Sequence, residues 1–234
     1  MPLLHRVGDS LCFWLFIANQ LLLDNVLFSV LLVCQFSYLG NFFGCEICDS
    51  FFFKFKQFTI EQSDCAMKVG TDGCLLGGWF NCSESKRVLD IGCGTGLITI
   101  MAAQRSNAKV TGIEIDSKAA MQARINADNS PWGERIEIIH GDLLEYTTEQ
   151  RFDTIVSNPP YFVNSLKCDD TSRTLARHSD SLDCKQFFNK CAGLLSDNGC
   201  ISIVIPCDIM NEWKEAAMEQ DLYPTRTMFV KTTP

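Results

Sequence analysis

The stretch from Val88 to Arg105 restricts the possible folds more than any other part of this chain. Val88-Leu89-Asp90-Ile91 is a short apolar run, Gly92-Cys93-Gly94-Thr95-Gly96 follows at once, and Leu97 to Arg105 has helical spacing and good helix formers. Strand, glycine turn and helix in this order open a βαβ unit of a parallel sheet. Glycines let the backbone pass close under a ligand, and the helix start offers free N–H groups and a positive dipole end. The alternation continues with strands over Lys109–Asp116, Ile136–His140, Phe152–Ser157 and Cys200–Pro206, then a helix over Ile209–Gln220. This pattern predicts one α/β, doubly wound, Rossmann-like domain over residues 51–234, with sheet order 3-2-1-4-5.

The glycine spacing is G-x-G-x-G, which differs from the G-x-G-x-x-G of dinucleotide binders. Asp90 stands just before it, and Glu114 falls 22 residues after Gly92, where a carboxylate takes the ribose hydroxyls of a bound nucleoside. Gly141-Asp142-Leu143 follows the third strand, placed to meet an adenine ring. Together these predict S-adenosylmethionine as cofactor. Gly92, Gly94 and Gly96 would face its methionine end, Asp90 its ammonium, Glu114 its ribose, and Asp142 and Leu143 its adenine.

Asn158-Pro159-Pro160-Tyr161 stands 68 residues after Asp90, at the end of the fourth strand. Proline cannot donate a backbone hydrogen bond and pushes the preceding residue toward extended geometry. Two in a row make a stiff shelf with free carbonyls, an amide on one side and a flat ring on the other. Such a shelf can hold a planar –NH2 group, with two acceptors for its hydrogens and a ring to stack on its plane. An ordinary Pro-Pro turn closed by a core tyrosine is the competing explanation for the tetrapeptide alone. The glycine loop upstream favours the shelf, with Asn158, Pro159, Pro160 and Tyr161 as the catalytic set.

The combination resembles the amino-directed class I methyltransferases. Phe55-Lys56-Gln57-Phe58, Cys65-Ala66-Met67-Lys68-Val69-Gly70-Thr71-Asp72-Gly73, Leu75-Leu76-Gly77 and Ser130-Pro131-Trp132 are similar to the bacterial tRNA1(Val) adenine-37 N6-methyltransferase family, from about Phe53 onward over roughly 180 residues. The resemblance implies methyl transfer to an adenine N6 amine in tRNA. It also places Thr71 and Asp72 in a segment that caps the cofactor site; the same two residues can head a helix running to Trp79. Trp132 reads as a packing anchor. His178 reads as part of a substrate loop with Arg173 and Arg177, outside the catalytic set. Two rivals remain: a release-factor glutamine N5-methyltransferase, whose tetrapeptide would hold a side-chain amide, and a catalytically silent, cofactor-binding or membrane-tethered interaction protein.

Charge bears on the partner. The net charge is −8, whereas an RNA binder ordinarily has a basic excess, so contact with tRNA requires a local patch. Lys54, Lys56 and Lys68, with Lys167, Arg173, Arg177 and His178, are the candidates, and solvated surface is the alternative for each. Nine of the 13 cysteines lie in the methyltransferase-like region and read as reduced, small buried hydrophobes of a cytoplasmic protein. His5, His140 and His178 are scattered and Cys45-x-x-Cys48 has no second pair, so no metal is expected. No obligate protein partner is evident.

Residues 1–50 form an apolar extension of doubtful origin. Leu11 to Cys34 is interrupted by Asn19, Gln20, Asp24 and Asn25, and each half is shorter than the roughly 18 residues of a membrane helix. Translation from upstream of the true start, a membrane contact through residues 11–34, and an extra subdomain all stay open. At the other end, Tyr223 to Lys231 reads as a sixth strand, and the final antiparallel strand of a class I methyltransferase sheet is expected to be missing. That leaves an exposed edge and lower stability.

Overall fold

The structure, a computed structural model, describes residues 51–63, 65, 67–159 and 183–230. A short antiparallel hairpin, β1 (Phe52–Lys54) and β2 (Thr59–Glu61), precedes α1 (Thr71–Trp79). There follow β3 (Arg87–Ile91), α2 (Leu97–Arg105), β4 (Lys109–Glu114), α3 (Ser117–Asp128) and, after a 3-10 turn, β5 (Ile136–His140). β6 (Phe152–Ser157), α4 (Cys184–Leu194), β7 (Leu195–Ile203) and α5 (Met210–Met218) complete the described elements.

The five strands β3 to β7 form one parallel sheet in the order β5-β4-β3-β6-β7. Counted from β3, this is the predicted order 3-2-1-4-5. The order reverses between β3 and β6, and doubly wound sheets bind ligands outside the carboxyl ends of the strands at such a switch point. Ile91 pairs with Ser157 across it. The glycine loop and Asn158 therefore leave neighbouring strands at the same level, about 4.8 Å apart. The Ser157 hydroxyl donates to the Ile91 carbonyl at 2.8 Å and ties the two strand ends together.

Alternating side chains cover both faces, as strand geometry requires. Leu89, Ile91, Ile113 and Ile155 pack under Phe187, Phe188 and Cys191 of α4 and Trp213 of α5. On the other face Val88, Val110 and Val156 meet Leu76 of α1 and Ile98, Ala102 and Ala103 of α2. The hairpin brings Phe55, Phe58 and Ile60 onto Leu97, Ile100 and Met101 of α2. Phe58 meets Trp132 edge-on at 6.1 Å between ring centres, so Trp132 is the packing anchor expected of it.

Several element ends differ from the sequence reading, each for a local reason. β4 stops at Glu114 because Asp116 caps α3, its carboxylate accepting the Lys118 and Ala119 N–H groups at 2.9 and 2.8 Å. Helix α1 is capped by Gly70 in extended geometry, not by Thr71 or Asp72, which occupy its first turn. β7 begins at Leu195, directly after α4, and shifts register between its Leu195 and Cys200 pairings. No sixth strand joins the sheet among the described residues: the Arg226 guanidinium lies 4.3 Å from the Trp79 ring and donates to the Trp79 carbonyl, drawing its segment toward the end of α1. Six described cysteines are buried as expected, but Cys200 and Cys207 are exposed. No helix among the described residues is long and apolar enough to cross a membrane; residues 1–50, with their three readings, lie outside the described residues.

Phe187 is fully buried between the rings of Phe188 and Trp213, at 5.2 and 5.4 Å. Phe187→Ala is expected to cost about 3–5 kcal/mol of stability, read from urea unfolding. A loss below about 1 kcal/mol would show that α4 does not anchor this face.

Candidate active site

The glycine loop follows β3 without a ladder partner of its own. Gly92, Gly94 and Gly96 have φ of 69°, 54° and 81°, the left-handed region that other residues enter only with strain. A Cβ on Gly92 or Gly94 would meet nothing within 4 Å, so these two leave bare backbone facing open space. A Cβ on Gly96 would lie 3.3 Å from that of Ala123, so this glycine allows α3 to approach. The Gly92 and Cys93 N–H groups both donate to the Ile113 carbonyl, at 2.8 and 3.0 Å.

Two carboxylates bracket this loop. Asp90 is fully buried; its Oδ2 accepts the Thr99 hydroxyl at 2.6 Å from the first turn of α2, while Oδ1 has no hydrogen-bond partner. Burial pushes its carboxyl up to about 7; the Thr99 hydroxyl opposes this rise and the Glu114 charge adds to it. A buried acceptor left without a donor is costly, and a cationic ligand group beside the loop relieves that cost. Glu114 accepts the Gly94 N–H through Oε2 at 2.8 Å and the Asp116 N–H through Oε1 at 2.9 Å. Each oxygen keeps a lone pair for a further donor such as a ribose hydroxyl. Bare glycine backbone, an unsatisfied buried carboxylate and a pre-oriented second carboxylate fit S-adenosylmethionine, with its ammonium, sulfonium and ribose. Burial, with the charges of Asp90 and Glu114, holds the Cys93 thiol well above its usual range, so it is not a nucleophile.

The loop after β5 contributes on the β4 side. The Gly141 N–H donates to the Glu114 carbonyl at 2.9 Å, and the Asp142 carboxylate accepts the Leu144 N–H at 2.8 Å. Leu143 turns its side chain into the core beside Leu89 and Ile113, so only its main chain is available to a ligand. Ile115, which sequence reading did not single out, is 67% exposed although apolar, and so is open to a ligand beside Glu114. Its carbonyl lies 3.2 Å from His140 Nε2. The available signal was an apolar side chain between two carboxylates, Glu114 and Asp116, at a strand end.

Across the switch point, Asn158 is half-buried and Pro159 buried. A Cβ added to Gly73 would lie 3.8 Å from Asn158 Nδ2, so the first turn of α1, with Thr71 and Asp72, comes up against the start of the tetrapeptide. The preceding segment is tethered: the Val69 N–H donates to Gln62 Oε1 at 2.8 Å, and Lys68 Nζ donates to the Gln62 carbonyl. Lys68 thus spends one donor inside the protein. Lys54 and Lys56 are exposed and border a groove of about 400 Å3 shared with Gln57, Thr59, Asn126 and Asn129. Pro160, Tyr161, Lys167, Arg173, Arg177 and His178 lie outside the described residues.

The raised Asp90 pKa has a consequence for the ligand-free protein. The carboxyl titrates near 3.8 in the unfolded chain and near 7 in the folded one, so the folded state holds the extra proton between these values. Stability from this group therefore falls as pH rises from about 4 to about 7, then levels off. Urea melts across that window are expected to show a steeper decline for wild type than for Asp90→Asn. Superimposable pH profiles would contradict the assignment.

Residues 67–223 match the methyltransferase small domain family. A tRNA1(Val) (adenine(37)-N6)-methyltransferase of Bacteroides fragilis (strain YCH46) is 50% identical over 186 residues, covering 78% of each chain. The protein of that name from Bacteroides thetaiotaomicron is 51% identical over 185 residues with the same coverage, and that of Trichodesmium erythraeum 42% over 187 residues, again with 78% of each chain covered. Over the residues that build the sheet, its glycine loop and the start of the tetrapeptide, this chain belongs to the tRNA1(Val) (adenine(37)-N6)-methyltransferase family of methyltransferase small domains.

Proposed function

We propose that the protein transfers a methyl group from S-adenosylmethionine to the exocyclic N6 amine of adenine 37 in tRNA1(Val), in the cytoplasm, where cofactor and tRNA meet. One observation carries this reading. The glycine loop and Asn158 leave adjacent strands at the same level, and the family's Lys68–Gly73 segment lies against Asn158.

When bound, the cofactor supplies an electrophilic methyl group on a sulfonium. Asp90 takes its ammonium and Glu114 its ribose hydroxyls. Ile115, Asp142 and the Leu143 main chain take its adenine, while Gly92, Gly94 and Gly96 leave room for the methionine portion. Thr71 and Asp72, in the first turn of α1, close the site from the acceptor side.

The acceptor nitrogen is a poor nucleophile because its lone pair is delocalised into the adenine ring. The Asn158 side-chain oxygen and the Pro159 carbonyl accept its two N–H bonds, which holds the nitrogen and lets its lone pair turn toward the methyl group. Pro160 stiffens the shelf, and Tyr161 stacks on the extruded base, worth roughly 1–3 kcal/mol for such a contact. Positioning and exclusion of water then provide most of the rate. The proton becomes acidic only once the nitrogen is methylated, so it passes to solvent as the site opens and no strong base is needed.

Lys54 and Lys56, beside the hairpin groove, together with Arg173 and Arg177, attract the tRNA backbone to an otherwise acidic protein. Lys68 adds its charge while tethered to Gln62.

Incubation with labelled S-adenosylmethionine and either total tRNA or release factor tests the substrate class. Label is expected in tRNA; label in release factor alone would instead assign the glutamine reaction. Asn158→Ala is expected to lower transfer by at least about a hundredfold while leaving cofactor affinity within about twofold. Activity retained in that variant would defeat the shelf mechanism.

A further inference from the structure

Asn126 reaches the edge of the hairpin groove but has been given no role toward the cofactor; the residue is 1% exposed and its side chain makes three long-range hydrogen bonds. Its Oδ1 accepts the Glu61 N–H at 2.9 Å, and its Nδ2 donates to the Glu61 carbonyl at 2.8 Å. The amide thus pairs with β2 as a neighbouring strand would, satisfying both main-chain groups of one residue. The second Nδ2 hydrogen goes to the Thr95 carbonyl at 2.8 Å. That carbonyl belongs to the peptide joining Thr95 to Gly96, at the helix end of the glycine loop, and Gly94 and Gly96 on either side of Thr95 have left-handed backbones.

Gly94 is held from the other flank by Glu114, at 2.8 Å. Glycines lose more conformational freedom on ordering than any other residue, so a loop of three must be restrained from outside or ordered at the cofactor's expense. An amide suits the α3 position. Only a side chain with one acceptor and two donors on one planar group can satisfy Glu61 N–H, Glu61 C=O and Thr95 C=O together.

From this geometry we infer that Asn126 is a positioning residue for S-adenosylmethionine: it holds the glycine loop in its binding shape and couples it to the β1–β2 hairpin. The inference rests on the cofactor assignment above and adds a residue that never touches the cofactor. The nearby Gln122 provides a control. Its Nε2 donates to the Glu61 carboxylate at 3.5 Å and its Oε1 accepts from Ser63 at 3.4 Å, so it touches the hairpin region without bonding the loop.

Two measurements test this on the full chain: cofactor affinity by titration calorimetry, and amide hydrogen exchange at Gly94 and Gly96 in the cofactor-free protein. Asn126→Ala is expected to weaken S-adenosylmethionine binding by about tenfold, the equivalent of one buried hydrogen bond, and to speed exchange at both glycines by a similar factor. Asn126→Asp keeps the volume and the acceptor toward Glu61 but turns oxygen toward two carbonyls, so it should show the same losses. It decides the matter alone if Asn126→Ala does not fold. Turnover at saturating cofactor should stay within about twofold of wild type, and Gln122→Ala should leave affinity and exchange unchanged. The inference is overturned if the folded Asn126 variants bind and exchange like wild type, or if Gln122→Ala loses as much as they do. Wild-type protein that binds no S-adenosylmethionine would defeat the cofactor assignment itself and this inference with it, a result seen before any variant is made.

Discussion

Three glycines in left-handed geometry make a loop that no strand ladder stabilises, so its shape comes from one internal turn, the Gly96 N–H donating to the Cys93 carbonyl at 2.8 Å, and from hydrogen bonds reaching it from outside. The Ile113 carbonyl takes the Gly92 and Cys93 N–H groups, Glu114 takes the Gly94 N–H, and Asn126 holds the Thr95 carbonyl. Each outside restraint originates on β4, which completes the first βαβ unit, or on α3, which follows it. The alanines of α3 allow the same close packing: Ala123 faces Gly96 at 3.3 Å, and Ala120 and Ala127 are buried in one cluster with Cys93 and Ile138. Cofactor affinity and the packing of this unit are therefore one property, and the sheet's switch point decides that Asn158 stands beside it.

The electrostatics follow from the same arrangement. Two carboxylates near the loop, one of them fully buried with an unsatisfied oxygen, are a poor environment for an anion and a good one for a sulfonium with an α-ammonium. Dinucleotides, whose pyrophosphate sits on the helix start, are disfavoured at this position by charge as well as by glycine spacing. A chain with net charge −8 gains no general attraction for tRNA, so the tRNA contact we propose rests on local cations such as Lys54 and Lys56.

The parallel sheet was legible because its strands are short apolar runs separated by helical segments, the glycine loop standing before α2 and Asp116 capping α3. The strands Ile136–His140 and Phe152–Ser157 and the helix Leu97–Arg105 carry the predicted ends unchanged. The hairpin escaped notice because its strands, Phe52–Lys54 and Thr59–Glu61, have three residues each, too short for a period of two to show. The apolar stretch Tyr223–Lys231 looked like a strand, but Arg226 settles on Trp79, a contact with no local signature. Asp90, Glu114 and the glycines, the cofactor residues we propose, stand out from spacing alone, and the fold brings them to one loop. Asn126 and Ile115 do not stand out in this way. The first depends on a β2 carbonyl 65 residues away in the chain, and the second is distinguished only by its exposure.

The central claim is that the shelf beginning at Asn158 presents an adenine amine to a methyl donor held by the glycine loop. Nucleoside mass spectrometry of an unmodified tRNA1(Val) transcript, incubated with the protein and S-adenosylmethionine, tests it most directly. The account predicts N6-methyladenine at position 37, and none when adenine 37 is replaced by guanine. Methylation at another base, or on a ring nitrogen of adenine 37, would contradict it.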